Sequence, residues 1–230
     1  MSDPVAQLGT FWLEALYMYG ETKSAMTMSY RLSKRLFTRY SSANMSYIAA
    51  LADKYNLPGE SMQFASFLVR RNPYLLTPQT MRYLYPKPFQ STFEKSLGSL
   101  DPLLTFSVAK QESGFNPYAR SPANARGLLQ VLPSTAKMYD PGSQKFLYDI
   151  NTNVDVGSKI LKDLISKLGR VEFALAAYNA GYNKVDAWKK RYETIDQTLF
   201  IDLIPYAETR GYVANVLRNH YWYTALYKAN

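Results

Sequence analysis

Glu112 has the setting that best suits proton transfer in this chain. Asp101, followed by a proline, predicts a helix start with Asp as the N-cap, and Gly114 predicts the helix end. Leu104 and Val108 precede Glu112 by eight and four residues, so the acid shares a helix face with apolar side chains. Apolar surroundings and the negative end of the helix dipole both raise the pKa of a carboxyl group, as a general acid working near neutral pH requires. An ordinary solvated glutamate in a last turn is the alternative.

The rest of the composition limits the chemistry to a few side-chain types. The chain has no cysteine, which excludes a thiol nucleophile and disulfides, and a single histidine, His220. One histidine excludes most metal sites built from several His or Cys ligands and most Ser-His-Asp triads. We interpret His220 as structural, because it lies in a helical, aromatic-rich stretch. Carboxylates, hydroxyls, amides and tyrosines remain, a set that suits sugar chemistry; no metal and no cofactor are expected.

Four short sequence blocks follow one another between residues 110 and 213. Residues 110–117 read KQESGFNP, residues 121–136 read SPANARGLLQVLPSTA, residues 176–181 read AAYNAG and residues 204–213 read IPYAETRGYV. Together they resemble the soluble lytic transglycosylases of bacterial cell walls, which carry Glu-Ser, Gly-Leu-Met-Gln, Ala-Tyr-Asn-Ala-Gly and Glu-Thr-Arg-x-Tyr-Val. Each block alone is short, but four in this order over more than a hundred residues are a specific signal.

Two positions depart from that family pattern. Leu129 stands where methionine is common, a change that conserves apolar volume. The residues from Asn124 to Arg126 replace the usual Gly-Ala-x, which leaves the loop geometry before Gly127 open.

The resemblance implies a reaction that one carboxyl group can perform. In this family a single glutamate protonates the β-1,4 bond between N-acetylmuramic acid and N-acetylglucosamine. The same group, now a carboxylate, then accepts the proton of the C6 hydroxyl, which closes onto C1 to give a 1,6-anhydro end. Glu112 is the candidate for this residue.

The matching motifs also imply substrate-binding residues. Gln130 would hydrogen-bond a sugar acetamido group or hydroxyl, and Gly127 would let the backbone turn close to the substrate. Tyr178 would bind near the scissile bond, with a hydroxyl that steers Glu112 or stabilises the developing oxocarbenium ion, and Ser121 would hydrogen-bond the substrate nearby. Taken singly, Gln130 could equally be a loop hydrogen bonder and Tyr178 a core aromatic.

Three further positions have structural explanations beside the functional one. Glu208 falls in the first turn of the predicted last helix, where the dipole favours acids, and the motif adds a supporting binding role through substrate polar groups or Arg210. Asn179 suits holding a helix end, and Tyr212 suits packing.

Charge and hydropathy patterns restrict the partners. With 27 basic and 18 acidic residues among 230, the net charge of +9 favours an anionic partner, and peptidoglycan with its peptide carboxylates is one. The sequence has no helix-turn-helix signature and no clustered Arg/Lys face of the kind that indicates a nucleic-acid partner. It also has no apolar run long enough to span a membrane. The N-terminus does not read as a signal peptide, so the protein is either cytoplasmic or has lost its leader. The resemblance favours the second, with the periplasm or cell envelope as location.

The expected fold class is mainly α, with two domains. Residues 1–85 predict a small all-α accessory region, of the kind that ends an α-solenoid, with helical spacing at Phe11, Ala15, Leu16 and Tyr19 and again at Leu32, Leu36 and Tyr40. The Tyr-Pro-Lys-Pro segment from Tyr85 predicts the boundary. Residues 86–230 predict a lysozyme-like α+β catalytic domain, in which the irregular stretch 116–142 forms one wall of the cleft with a short β element.

Two other readings of the same fold stay open. A hydrolytic muramidase would need a second carboxylate, for which Asp149 and Asp155 are candidates, although residues 151–155 also fit helix-start chemistry. A non-catalytic peptidoglycan-binding module would retain the groove without the reaction.

Overall fold

The structure, a computed structural model, describes residues 4–21, 24–25, 27–28, 42–95, 100–192 and 195–228. The chain divides into two compact units, Met1–Pro88 and Phe89–Asn230, each of which is described by itself below. Helices dominate both, which confirms the mainly α fold class. The assignment of domains 1–85 and 86–230 as accessory and catalytic stays a prediction. No helix in the described part of the chain is long and apolar enough to cross a bilayer.

The described part of the first unit is mainly helical. Among its described helices are α1 (Pro4–Met18), α2 (Ser42–Lys54), α3 (Pro58–Arg71) and α4 (Pro78–Leu84). Prolines begin α3 and α4, and the Thr77 side chain caps α4 by accepting from the N–H of Thr80 at 3.3 Å.

The helix predicted from the spacing at Phe11, Ala15, Leu16 and Tyr19 is present as α1, which ends at Met18. Leu13 and Tyr17 are buried, whereas Phe11 and Tyr19 are exposed. Leu16 packs against the same core as Leu13 and Tyr17, so the side of α1 that contacts α2 includes part of the predicted stripe. The predicted spacing at Leu32, Leu36 and Tyr40 lies outside the described residues.

The second unit contains the candidate site. Its described α-helices are α5 (Gln90–Lys95), α6 (Pro102–Ser113), α7 (Pro133–Tyr139), α8 (Ile150–Leu168), α9 (Val171–Ala180), α10 (Tyr182–Tyr192), α11 (Gln197–Leu203) and α12 (Ala207–Tyr227). The predicted helix ends are confirmed at Gly114 and Gly169, which adopt the left-handed conformation after α6 and α8, and at Gly181 after α9.

Helix α6 lies at the centre of this unit. Asp101 caps it by accepting from the N–H of Leu103 at 3.0 Å, with a proline in the first turn, as predicted. Every residue from Leu103 to Ala109 is buried, which is typical of a helix covered on all sides. Phe106 stacks on Phe93 of α5 with ring centroids 4.2 Å apart, and α12 packs along α6. This burial fixes the last turn, and Glu112 with it.

The stretch 116–142 is irregular, as predicted, and carries only traces of β structure. Arg126 forms isolated antiparallel bridges with Arg120 and with Val131, and α7 follows. The loop 126–131, which the second bridge closes, carries Gly127 and Gln130, so its backbone decides where both residues lie.

Candidate active site

Glu112 is held in the last turn of α6 with its carboxyl largely buried. The hydroxyl of Tyr212 donates to Glu112 Oε1 at 2.7 Å. Burial raises the pKa of Glu112 to about 7; the hydrogen bond from Tyr212 opposes this rise and the negative charge of Glu208 adds to it. A carboxyl with such a pKa exists in both protonation states near neutral pH, which is what a group that donates and then accepts a proton needs.

The tyrosine that contacts Glu112 is not the one that the sequence suggested. We predicted that the Tyr178 hydroxyl could steer Glu112 and that Tyr212 serves packing. Tyr212 is buried and makes the contact, whereas the Tyr178 hydroxyl donates to the carbonyl oxygen of Leu129 at 2.8 Å. Burial first, and then charge on Glu112, raises the pKa of each phenol well above its ordinary value, so both stay neutral donors.

Gly127 is required by close packing. Its φ is +76°, and a Cβ there would collide with the Asn153 amide and the Leu147 carbonyl oxygen. We predicted a glycine that lets substrate approach; the structure shows an independent reason for glycine at this position.

Gln130 braces its own loop. Its Nε2 donates to the carbonyl oxygens of Gly127 at 2.8 Å and Ala119 at 3.1 Å. Its φ is +46°, an uncommon conformation for a residue other than glycine, which costs roughly 1–2 kcal/mol and persists only where surrounding contacts impose it. The loop-bonding alternative is therefore present in the structure, and substrate binding by Gln130 stays a prediction.

Two serines that precede this loop in the chain hold it by hydrogen bonds to backbone groups. Ser121 Oγ accepts from the N–H of Ala125 at 3.0 Å, which closes the turn before Arg126. Ser113, next to Glu112, donates to the carbonyl oxygen of Leu128 at 2.8 Å and so joins the end of α6 to the loop.

The start of α12 faces the end of α9. Thr209 donates to the Asn179 side-chain oxygen at 2.7 Å, which ties the two helices together. Glu208 is exposed in the first turn of α12. Arg210, its suggested partner, instead donates to the carbonyl oxygens of Asp202 and Ile204 at 3.2 and 3.3 Å.

A groove of about 350 Å³ opens beside these residues. Among the predicted site residues, Gln130, Tyr178 and Asn179 line it, and much of the remaining wall is apolar, with Leu132 and Ile160 on one part. Apolar walls with a few polar groups are typical of ligand sites of this size. Glu112 does not line this volume; Tyr178 links the two, because its phenol is close enough to Glu112 to feel the carboxylate charge.

Other ionisable side chains considered in the sequence have structural roles. Asp149 caps α8 by accepting from the N–H of Thr152 at 2.8 Å, and Asp155 pairs with Lys159 one turn later at 2.6 Å. His220 Nε2 lies 3.0 Å from Asp101 Oδ2, which supports its structural interpretation. Within the described ranges, no group of three or more Asp, Glu or His side chains could hold a metal ion.

Asn153 is the residue that sequence reasoning missed. It lies in the first turn of α8, a segment interpreted as helix-start chemistry, yet its side chain is buried and bonds the loop 126–131. An asparagine four residues before Gly157 was the available signal, since the two positions share a helix face.

Comparison with known proteins decides the family. Residues 92–201 match the model of the transglycosylase SLT domain, and residues 203–230 match that of the soluble lytic transglycosylase helical domain. Residues 92–201 form a transglycosylase SLT domain. The helical-domain match lies in the segment that includes α12, whereas the sequence led us to expect such helices upstream of the catalytic block.

Related proteins agree with this family. The soluble lytic murein transglycosylase of Escherichia coli K12 is 40% identical over 126 residues, covering 51% of this chain and 20% of that protein. The crystal structure of the 70 kDa soluble lytic transglycosylase from Escherichia coli matches 97% of this SLT chain and 36% of its own, at 25% identity and a TM-score of 0.78. The inactive mutant of lytic transglycosylase Slt from Pseudomonas aeruginosa, a Glu-to-Gln variant, matches all of this chain and 38% of its own, at 25% identity and a TM-score of 0.73. This chain therefore spans about a fifth to two fifths of the length of these relatives.

Proposed function

We propose that this SLT protein is a lytic murein transglycosylase. It would cleave the β-1,4 bond between N-acetylmuramic acid and N-acetylglucosamine without water and leave 1,6-anhydro ends. The observation that carries the proposal is the Glu112 carboxyl: it is largely buried, bonded to a neutral phenol, and has a pKa of about 7 within an SLT domain. The names of the relatives support the same reaction class.

The reaction needs one proton carrier. Protonated Glu112 donates its proton to the glycosidic oxygen as the bond from that oxygen to C1 breaks, and positive charge develops at C1. The carboxylate then accepts the proton of the C6 hydroxyl, whose oxygen bonds to C1. One C–O bond breaks and one forms, and Glu112 returns to its protonated state, so a second carboxylate to activate water is not required.

Residues around Glu112 would control its proton. Tyr212 holds Oε1, so the proton would be carried on the other carboxyl oxygen when Glu112 acts as the acid. Tyr178 and Gln130 line the groove where a glycan strand would lie, with Ser121 and Gly127 shaping the adjoining loop. Glu208 would assist by its charge and by polar contacts with substrate.

A hydrolytic reaction is less well supported by this site. Hydrolysis would need a second carboxylate opposite Glu112. The two candidates in the sequence, Asp149 and Asp155, already cap α8 and pair with Lys159. The cell envelope, where peptidoglycan is found, is the proposed place of action, and the net charge of +9 suits a substrate that carries peptide carboxylates.

Product analysis of purified sacculi tests the proposal. We expect the native chain to release muropeptides with 1,6-anhydro ends, and Glu112→Gln to lower the rate by about a thousandfold, because general acid–base catalysis contributes roughly 10²–10⁴. Glu60→Gln is the matched control: Glu60 is a half-buried glutamate of the first unit whose pKa burial also raises. Reducing ends from the native chain would indicate hydrolysis, and equal rates for Glu112→Gln and the native chain would exclude Glu112 as the acid.

A further inference from the structure

We propose that Asn153 is a positioning residue, which holds the loop 126–131 in the register that the active site needs; this inference rests on the proposed function. The Asn153 side chain is 1% exposed and bonds three backbone groups. The N–H of Leu129 donates to its Oδ1, and its Nδ2 donates to the carbonyl oxygens of Arg126 and Leu147, each at 2.8 Å. One amide thus uses its acceptor and both donor hydrogens on the backbone.

The loop needs such a partner because it has little regular structure of its own. Two isolated bridges and a tight turn leave buried N–H and C=O groups without the neighbouring strand that a sheet would supply. The left-handed conformations of Gly127 and Gln130 make the turn unusual as well. Asn153 takes the place of that strand, so the position of the loop follows the position of α8.

The same short segment connects to the catalytic groups on its other side. The N–H of Leu129 donates to Asn153 Oδ1, and the carbonyl oxygen of Leu129 accepts from Tyr178. The carbonyl oxygen of the preceding residue, Leu128, accepts from Ser113, the neighbour of Glu112. A shift of Leu129 therefore moves Tyr178 in the groove and loosens the contact beside Glu112.

A second feature of α8 acts on the same residue. Gly157 lies one turn after Asn153, and a Cβ placed on it would be 2.5 Å from Leu129 Cδ1 and 2.7 Å from Leu129 Cβ. The missing side chain makes room for Leu129, while Asn153 bonds its backbone. Together Asn153 and Gly157 form a seat for Leu129, and each can be altered independently.

Three single variants separate positioning from plain stability. Asn153→Ala removes the hydrogen bonds and Gly157→Ala pushes on the Leu129 side chain. Leu168→Ala is the control, because Leu168 is a buried residue at the far end of the same helix that does not line the groove. Each purified protein is assayed for kcat and KM on soluble glycan strands below its Tm, and hydrogen–deuterium exchange is followed for the amides of residues 126–131.

We expect kcat of Asn153→Ala and Gly157→Ala to fall by about ten- to a hundredfold, since a misplacement of about 1 Å can cost that much, while Leu168→Ala stays within about twofold of the native chain. The Leu129 amide of Asn153→Ala should exchange faster than in Leu168→Ala. Unchanged kcat in Asn153→Ala, or an equal loss in Leu168→Ala, would overturn the proposal.

The test also distinguishes this inference from the proposed function. If the native chain yields no cleavage product, the proposed function fails and the exchange data alone decide the role of Asn153. Faster exchange of the Leu129 amide in Asn153→Ala than in the control would support the holding of the loop, and equal rates would refute it.

Discussion

Two carboxyl groups at opposite ends of α6 both contact α12, but their electrostatic surroundings shift their pKa values in opposite directions. Asp101 precedes the first turn and lies against His220 and Lys228 at the end of α12. Glu112 lies in the last turn and contacts Tyr212 near the start of α12. The packing of α12 on α6 thus positions both acids, but their partners and the ends of the α6 dipole that they experience differ.

Asp101 is surrounded by groups that favour its charge. Burial alone would raise the pKa of Asp101, but hydrogen bonds from Lys228, His220 and the N–H of Leu103 outweigh it, and the pKa lies below its ordinary value. The positive end of the α6 dipole acts in the same direction. Asp101 therefore stays ionised near neutral pH, where it stabilises the structure and has no proton to donate.

Glu112 has the reverse setting. It is largely buried at the negative end of the same dipole, its hydrogen-bond donor Tyr212 is a neutral phenol, and the charge of another acid, Glu208, raises its pKa further. Burial, the opposite ends of the helix dipole and the different partners from α12 together decide which acid can transfer protons near neutral pH.

Stability as a function of pH should differ most between these two acids. Glu112 has a folded pKa of about 7 against an ordinary 4.5, so the unfolded chain loses its proton first. Its contribution to stability is complete below pH 4.5 and is lost as pH rises through 7, a change of about 3 kcal/mol in the free energy of unfolding. We expect Glu112→Gln to lack this loss. In thermal melts, the Tm of the variant minus that of the native chain should therefore increase between pH 4.5 and pH 8.

Asp101→Asn is the control, and its pH dependence of stability should have the opposite sign. Asparagine is chosen because it can still cap α6. The pKa of Asp101 is lowered in the folded state, so its stabilisation is present above the ordinary pKa and is lost as pH falls through the folded value. The deficit of Asp101→Asn should therefore be visible at neutral pH and shrink in acid. Parallel curves for the two variants would contradict the comparison.

Local signals predicted much of this region, and distant packing explains what they missed. Asp101, Gly114 and Gly169 are confirmed as helix limits because a cap is decided by a few adjacent residues. The contact between Tyr212 and Glu112 joins residues a hundred positions apart and depends on how α12 packs on α6. No motif carries that information.

Distant packing also explains why the sequence did not reveal the role of Asn153. Its position just after a helix start matches an ordinary capping pattern, and Asp149 is the residue that caps. The three backbone partners of Asn153 come from residues 126–147, and their approach is created by the irregular loop. Sequence patterns predict regular elements well, and this loop has almost none.

Tyr212→Phe should sharpen the comparison by removing the hydroxyl that donates to Glu112. The hydrogen bond stabilises the carboxylate, so its loss raises the pKa of Glu112 further, and the decline of kcat/KM at high pH should move to higher pH. A less firmly held carboxyl should also lower kcat by about tenfold, since a hydrogen bond to a charged group contributes roughly 1.5–3 kcal/mol. Rates measured from pH 5 to 9 check both. Tyr223→Phe, the same change about three turns along α12, should leave the profile in place.

Glu208→Gln should give the smallest effect, with the opposite sign. The charge of Glu208 raises the pKa of Glu112, so its removal lowers that pKa and shifts the decline of kcat/KM to lower pH. Because Glu208 is exposed, the shift should be clear in dilute buffer and nearly vanish at about 1 M salt, where the screening length is roughly 3 Å. Asp202→Asn, an exposed acid of α11, controls for a general change of charge. A shift that persists in high salt would mean that Glu208 acts on the site by contact, with the substrate or the start of α12, and its charge would then have no part in making Glu112 differ from Asp101.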